Sequence, residues 1–162
     1  MGDIGKDINS TFKSLKLKAL INIKYTANWI SSRENEFFRC YELSPQQYNI
    51  LRILRGASKP IKVQTIKDRM IERAPNATRL MDKLHDKGLI ERVRCPHDRR
   101  VVFINITSTG LGLLSEIDHN GIPDLLKKLS EDEATLLSHL LDKLREIHPI
   151  LLLLKQSSIY RI

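Results

Sequence analysis

The stretch PNATRLMDKLHDKGLIERVRCPHDRRVVFINI, residues 75–106, decides the fold. Its first part has a helical period: Ala77, Leu80, Met81 and Leu84 recur at spacings of three and four, on one face of a helix over 75–87. Pro75 suits the first turn of that helix, with Asn76 as the alternative cap, and Gly88 ends it. Beyond Gly88 the period becomes extended. Leu89 to Cys95 and Val101 to Ile106 are rich in β-branched residues and flank Pro96-His97-Asp98-Arg99-Arg100, which predicts a β-hairpin with an exposed basic tip.

Immediately upstream, residues 61–71 place Val63, Ile66 and Met70 on one stripe, predicting another short helix. Two short amphipathic helices joined by a few residues, the second of them basic, form the helix-turn-helix pattern. A hairpin directly after it makes a winged helix. Before this pair, Ser44-Pro45-Gln46-Gln47 reads as a capping box with Pro at the first helical position, flanked by Leu43 and Tyr48 as a hydrophobic staple. Tyr48, Leu51 and Leu54 share a face of the helix that follows, and Gly56 is its expected end.

The flanks are different. Residues 10–40 read as one long helix, with Phe12, Leu15, Ala19, Ile23, Ala27 and Ile30 at helical spacing. A helix of ~30 residues is about 45 Å long, more than a small domain needs for its own core, so it is expected to reach a second subunit. Thr107 opens a helical stretch that Gly121-Ile122-Pro123 interrupts. A second capping box, Ser130-Glu131-Asp132-Glu133, then starts a helix with Leu136, Leu137, Leu140, Leu141 and Leu144 expected inward, to be bent or ended by Pro149. The fold class is mainly α with a small β-hairpin. A winged helix-turn-helix over 44–106 is joined to N- and C-terminal helical dimerisation regions, 1–43 and 107–162, in one integrated domain.

Charge separates the same parts. The chain of 162 residues has a net charge of +8, and residues 59–100 hold twelve Lys and Arg against six Asp and Glu, so +6 of it falls in 42 residues. Basic charge concentrated in one segment is the footprint of a polyanion-binding surface. The longest apolar run, Pro149 to Leu154, is far short of the ~18 residues that cross a bilayer, so no membrane association is expected. Asp3, Lys6 and Asp7 precede any apolar stretch, unlike a secretory signal, and the protein is expected in the cytoplasm. Cys40 and Cys95 have no metal-site or disulfide-framework spacing, so neither metal nor cofactor is expected. No HExxH, P-loop or GxSxG is present, and Gly110-Leu111-Gly112 lacks the third glycine of a dinucleotide loop; the chain does not read as an enzyme.

Four runs of residues carry a resemblance. They are Ala77-Thr78-Arg79-Leu80-Met81-Asp82-Lys83-Leu84, Lys87-Gly88-Leu89-Ile90-Glu91-Arg92, the hairpin tip Cys95 to Val102 with its Asp98-Arg99-Arg100, and Ile106-Thr107-Ser108-Thr109-Gly110. Together they resemble the MarR (multiple antibiotic resistance regulator) type of winged-helix transcription factors over about residues 44–112. The resemblance implies a homodimer built from the terminal helices, reading a pseudo-palindromic operator in double-stranded DNA. Such regulators are usually repressors relieved by a small ligand or an oxidant. It also implies a ligand pocket between the dimerisation helices and the winged-helix lobe, beside Tyr25, Trp29, Phe37 and Phe38. Aromatic residues at this spacing equally suit a core, and no residue identifies an effector.

In a helix-turn-helix the N-terminal residues of the second helix reach base edges in the major groove. Here they are Asn76, Thr78 and Arg79: Arg can pair with guanine, Asn with adenine, and the Thr methyl can touch thymine. Lys83, one turn on, is expected at phosphate. In the wing, Arg100 occupies the Arg of the family's Asp-x-Arg motif and is expected in the minor groove, with Asp98 orienting it and Arg94, His97 and Arg99 beside it. Two other readings use the same residues: a sequence-indifferent nucleic-acid module, and a winged helix docking an acidic protein. A third is redox sensing at Cys95, whose neighbours Arg94, His97 and Arg99 would favour a thiolate. Cys40 stands at the wrong end of its helix to match the peroxide-sensing relatives.

Overall fold

In the computed structural model, which describes residues 2–71, 76–94 and 102–146, the capping box at Ser44 is closed. The Ser44 hydroxyl accepts the Gln47 N–H at 3.2 Å, and Gln47 Oε1 accepts the Ser44 N–H at 2.9 Å. Helix α3 (Pro45–Ala57) therefore starts where predicted, with Leu43 and Tyr48 buried as the staple. It ends one residue before Ser58, which takes the left-handed conformation at φ 53°, so Gly56 lies inside the helix. Both the Ser58 N–H and its hydroxyl donate to Arg55 O, and this local bonding fixes the end that glycine was expected to set.

The long N-terminal helix is shorter than expected. A single turn, α1 (Ile4–Asp7), comes first, and α2 (Leu15–Arg39) begins after Ser14, whose hydroxyl accepts the Leu17 N–H at 3.1 Å. Asp3 caps α1 through the Gly5 N–H and pairs with Lys18 at 2.7 Å, tying this turn to α2. Phe12 thus stands outside the helix.

Residues 61–71 are not one helix either. Ile61–Lys62 form β1, and the helix, α4, covers Val63–Arg69, with Met70 extended at its C-cap. Helix α5 spans Ala77–Asp86 within the predicted 75–87, and Asn76 is its N-cap. The hairpin strands are β2 (Ile90–Arg94) and β3 (Val102–Ile106), antiparallel from Ile90 opposite Ile106 to Arg94 opposite Val102. β1 pairs with the other edge of β3, Ile61 opposite Ile104, giving a three-stranded sheet in the order β1-β3-β2.

Helix α6 (Ser108–Asn120) follows, and Gly121 at φ 76° ends it. Residues 1–123 form one compact unit around the fully buried Leu51, Leu54, Ile66, Met81, Leu84, Ile104 and Leu114. Burial of each such side chain is worth roughly 1.5–3 kcal/mol, so this core is what holds α3, α4, α5 and the sheet together. Of α2, only Phe38 is buried.

Residues 124–162 form a second unit, described as far as Glu146. Its helix α7 (Glu131–Arg145) has the predicted capping box at Ser130 and Glu133. Acidic residues in its first turn and basic ones in its last suit the helix dipole. The expectation that its leucines face inward does not hold within the chain: Leu136, Leu137, Leu140 and Leu144 are 40–60% exposed. Among the described residues of its unit, nothing covers the leucine stripe of this 15-residue amphipathic helix. Pro149 lies outside the described residues.

Candidate nucleic-acid interface

Helix α5 is held from behind. Ala77, Met81 and Leu84 of α5 are buried, which turns Thr78, Arg79, Lys83 and Asp86 to solvent. Its C-terminal end is fixed by a Schellman arrangement: Leu89 N–H donates to Leu84 O at 3.0 Å and Gly88 N–H to His85 O at 2.8 Å. Gly88, at φ 69°, makes the turn from helix to strand. Lys87 Nζ donates to Glu42 O at 2.6 Å and meets the Glu42 carboxylate at 3.2 Å, binding the last turn of α5 to the elbow between α2 and α3.

The Thr107-x-x-Gly110 run explains itself here as structure. Thr107 accepts the Gly110 N–H at 3.1 Å to cap α6, donates its hydroxyl to Gly88 O at 2.7 Å, and donates its N–H to Leu89 O at 3.1 Å. A Cβ on residue 110 would stand 2.3 Å from Leu89 O, so only glycine allows α6 to close on that turn. The exit of the hairpin and the exit of α5 are thereby joined at one point.

Of the residues expected at bases, Asn76, Thr78 and Arg79 are all exposed at the N-terminal end of α5. Asn76 stands at the N-cap position without donating or accepting a cap hydrogen bond through its side chain, so a purely capping role does not describe it. Lys83 is exposed one turn on. Among the described residues, Arg79 and Lys83 have no carboxylate partner, and neither do Lys59, Lys62, Lys67 and Arg69 of the preceding segment. Cations without a carboxylate partner, such as Arg79 and Lys83 on the solvent side of α5, leave their charge available to an external anion. Arg94 ends β2. His97, Asp98, Arg99 and Arg100 lie outside the described residues, as does Cys95.

One pair went unread in the sequence: Arg92 of β2 donates from Nη2 to Asp82 Oδ1 of α5. Residues ten apart in elements of different period carry no pattern that announces such a contact. Of the four aromatics named for a pocket, Tyr25 and Trp29 are exposed on α2, whereas Phe38 stacks on Tyr48 at 4.4 Å with Phe37 edge-on to Phe38 at 5.0 Å. Burial pushes the Tyr48 phenol up, against the opposing charge of Arg52, whose guanidinium stands 5.9 Å over the ring. Beside this stack opens a cleft of about 210 Å³ lined by Tyr48, Asn49, Arg52, Met70 and Ile122 among others. The exposed Cys40 Sγ donates to Phe37 O at 3.0 Å. No group of His, Cys, Asp or Glu among the described residues could hold a metal ion, and no described helix is long and apolar enough to cross a membrane.

Comparison with known proteins gives a consistent picture. Residues 43–102 match the family model described as MarR family. The HTH-type transcriptional regulator MhqR of Bacillus subtilis (strain 168) is 33% identical over 137 residues, which are 82% of this chain and 92% of that protein. A crystal structure of a MarR transcription factor from Planctomyces limnophilus is 35% identical, with a TM-score of 0.60 over 88% of this chain and 99% of that one. A mutant MarR from E. coli, crystallised in complex with operator DNA, is 25% identical with a TM-score of 0.66, covering 89% and 99% of the two chains.

Proposed function

This chain belongs to the MarR family of DNA-binding transcriptional regulators, and on that premise we propose that it acts in the cytoplasm as a homodimeric repressor of a pseudo-palindromic operator. The observation that carries the reading is the solvent face of α5, where Asn76, Thr78, Arg79 and Lys83 stand exposed and the two cations lack partners among the described residues. Residues 75–87 enter the major groove, and the wing, 95–101, reaches the minor groove through Arg100 with Asp98 orienting it. Arg94, His97 and Arg99 flank the backbone. Residues 44–106 read DNA, while 1–43 and 107–162 dimerise.

Dimerisation accounts for Leu136, Leu137, Leu140 and Leu144 of α7 and for Leu15, Leu20 and Ile23 of α2, all exposed in the single chain. A two-fold axis then sets half-sites about one helical turn apart. The cleft at Tyr48 is the place for a small effector. Its apolar walls, with Glu34, Asn49 and Arg52 as polar groups, suit an aromatic molecule bearing a hydrogen-bonding group.

Selection of binding sites from a random duplex library, with Arg79→Ala and Arg100→Ala in parallel, tests the proposal. An imperfect palindrome is expected for the wild type. Arg79→Ala should lose about 1–3 kcal/mol on that site and relax one base position, and Lys83→Ala should weaken all duplexes alike with a salt slope lower by about 1. Salt-sensitive binding without an enriched motif would replace this reading by the sequence-indifferent module. Absence of duplex binding by a stable dimer would replace it by the protein-docking one.

A further inference from the structure

The outward face of α5 is not uniformly basic. At 100° per residue, Asp82 falls between Thr78 and Arg79 around the helix axis, one turn toward the C-terminus, on the side facing away from Ala77, Met81 and Leu84. A carboxylate there confronts the phosphates that this face would approach. Asp82 is not left alone. β2 runs beside α5, and Arg92 on the same face of that strand as the buried Ile90 extends past the core edge to donate from Nη2 to Asp82 Oδ1. Both side chains keep close to half of their surface exposed, 41% and 47%. A pair so open to water adds little to folding, so its effect is sought in what it does to the surface.

We propose that Arg92 is a positioning residue for DNA binding: it neutralises and holds back Asp82, so that the recognition face presents Thr78, Arg79 and Lys83 without an opposing charge beside Arg79. On this account Arg92 is not itself a phosphate contact, although it belongs to the basic segment, and Asp82 is not a base-reading group. Asp86, the other acid on this face, stands at the last helical position, farthest from the N-terminal residues proposed to reach bases, with the His85 imidazole Nδ1 3.9 Å away. Masking is thus confined to the carboxylate nearest the reading end. The inference rests on the assignment of α5 to the groove.

The test is a double-mutant cycle of Arg92→Gln, Asp82→Asn and the double variant. Affinity for the selected operator is measured across a salt series, with thermal melting on the same samples. Arg92→Gln is expected to weaken binding about tenfold by uncovering a like charge against phosphate. Asp82→Asn should bind at least as well as the wild type. The double variant should return to within about threefold of the wild type with the same salt slope. Melting temperatures should stay within ~3 °C of each other, as for other exposed pairs.

If the double variant stays as weak as Arg92→Gln and its salt slope falls by about 1, Arg92 is a phosphate contact and the masking inference is overturned. Affinity losses that follow losses in melting temperature would make the pair merely structural and overturn it as well. A well-folded wild type that binds no duplex removes the DNA-binding reading itself and this inference with it. A bound wild type without rescue removes the inference alone.

Discussion

Two regions of this chain bury apolar residues by different means. In the winged-helix lobe, Leu51, Leu54, Met81, Leu84 and Ile104 come from three elements, α3, α5 and β3, and are sealed within one chain. In α7 the capping is as complete, with a closed box and complementary terminal charges, yet no residue of the helix is buried. Local signals therefore specify both helices equally well, and only the lobe adds a tertiary reason for its helix to stand where it does. A helix of 15 residues is marginal on its own in water. The described residues of its unit leave its leucine stripe exposed, and the proposed second copy would cover it.

The sharpest way to break this contrast is to truncate one leucine in each region. Leu51→Ala should lower the unfolding free energy by about 2–5 kcal/mol, read from the denaturant midpoint at any protein concentration. Leu140→Ala should leave the lobe's transition where it is and show its effect as weaker self-association in sedimentation. Equal, concentration-independent losses in both variants would erase the distinction.

A second comparison sits within α6. Gly110→Ala should cost about 1–3 kcal/mol, because its Cβ meets the Leu89 carbonyl in a contact that cannot relax without moving the hairpin exit. Gly112→Ala, in the same helix with nothing within 4 Å of the new Cβ, should stabilise by about 0.5–1 kcal/mol. Thermal melting of the two variants side by side separates close packing from helix propensity.

Smaller still is Ser44→Ala, expected to cost about 1 kcal/mol by removing the acceptor for the Gln47 N–H, with the melting midpoint as its readout. At the far end, Lys18 and the Gly5 N–H hold the Asp3 carboxyl below the usual carboxylate range. A lowered folded-state value means that the contribution is present above the unfolded carboxylate's pKa. It is lost as pH falls through the folded value. The group is exposed, so NMR titration of Asp3 should move toward the ordinary value in Lys18→Ala, with global stability little changed.

These regions also show what could be read beforehand. Both capping boxes, the basic helix and the two hairpin strands depend on neighbours within a few positions, and periodicity and turn chemistry displayed them. β1 has only two residues, Ile61 and Lys62, and exists by pairing with Ile104 and Phe103 some forty positions on. No local pattern distinguishes it from the first turn of α4. The start of α2 was misplaced because Phe12 fits the helical period although Ser14 caps the helix after it. At the interface, exposure of Asn76, Thr78, Arg79 and Lys83 followed from which face was apolar. The Arg92–Asp82 and Lys87–Glu42 contacts join distant elements and needed the fold.

The second of those contacts gives α2 a mechanical meaning. At 25 residues the helix is about 37 Å long, and it is gripped by the core only near Phe38. It is an arm hinged at one end. A swing of about 5° about that end carries Leu15 through about 3 Å, and displacement at Leu15 is reduced in the same ratio at the hinge. The hinge carbonyl of Glu42, itself at φ 51°, is the one Lys87 holds at the last turn of the reading helix. A displacement of that arm would therefore be felt at the last turn of α5 through the Lys87–Glu42 contact, reduced to ångström size.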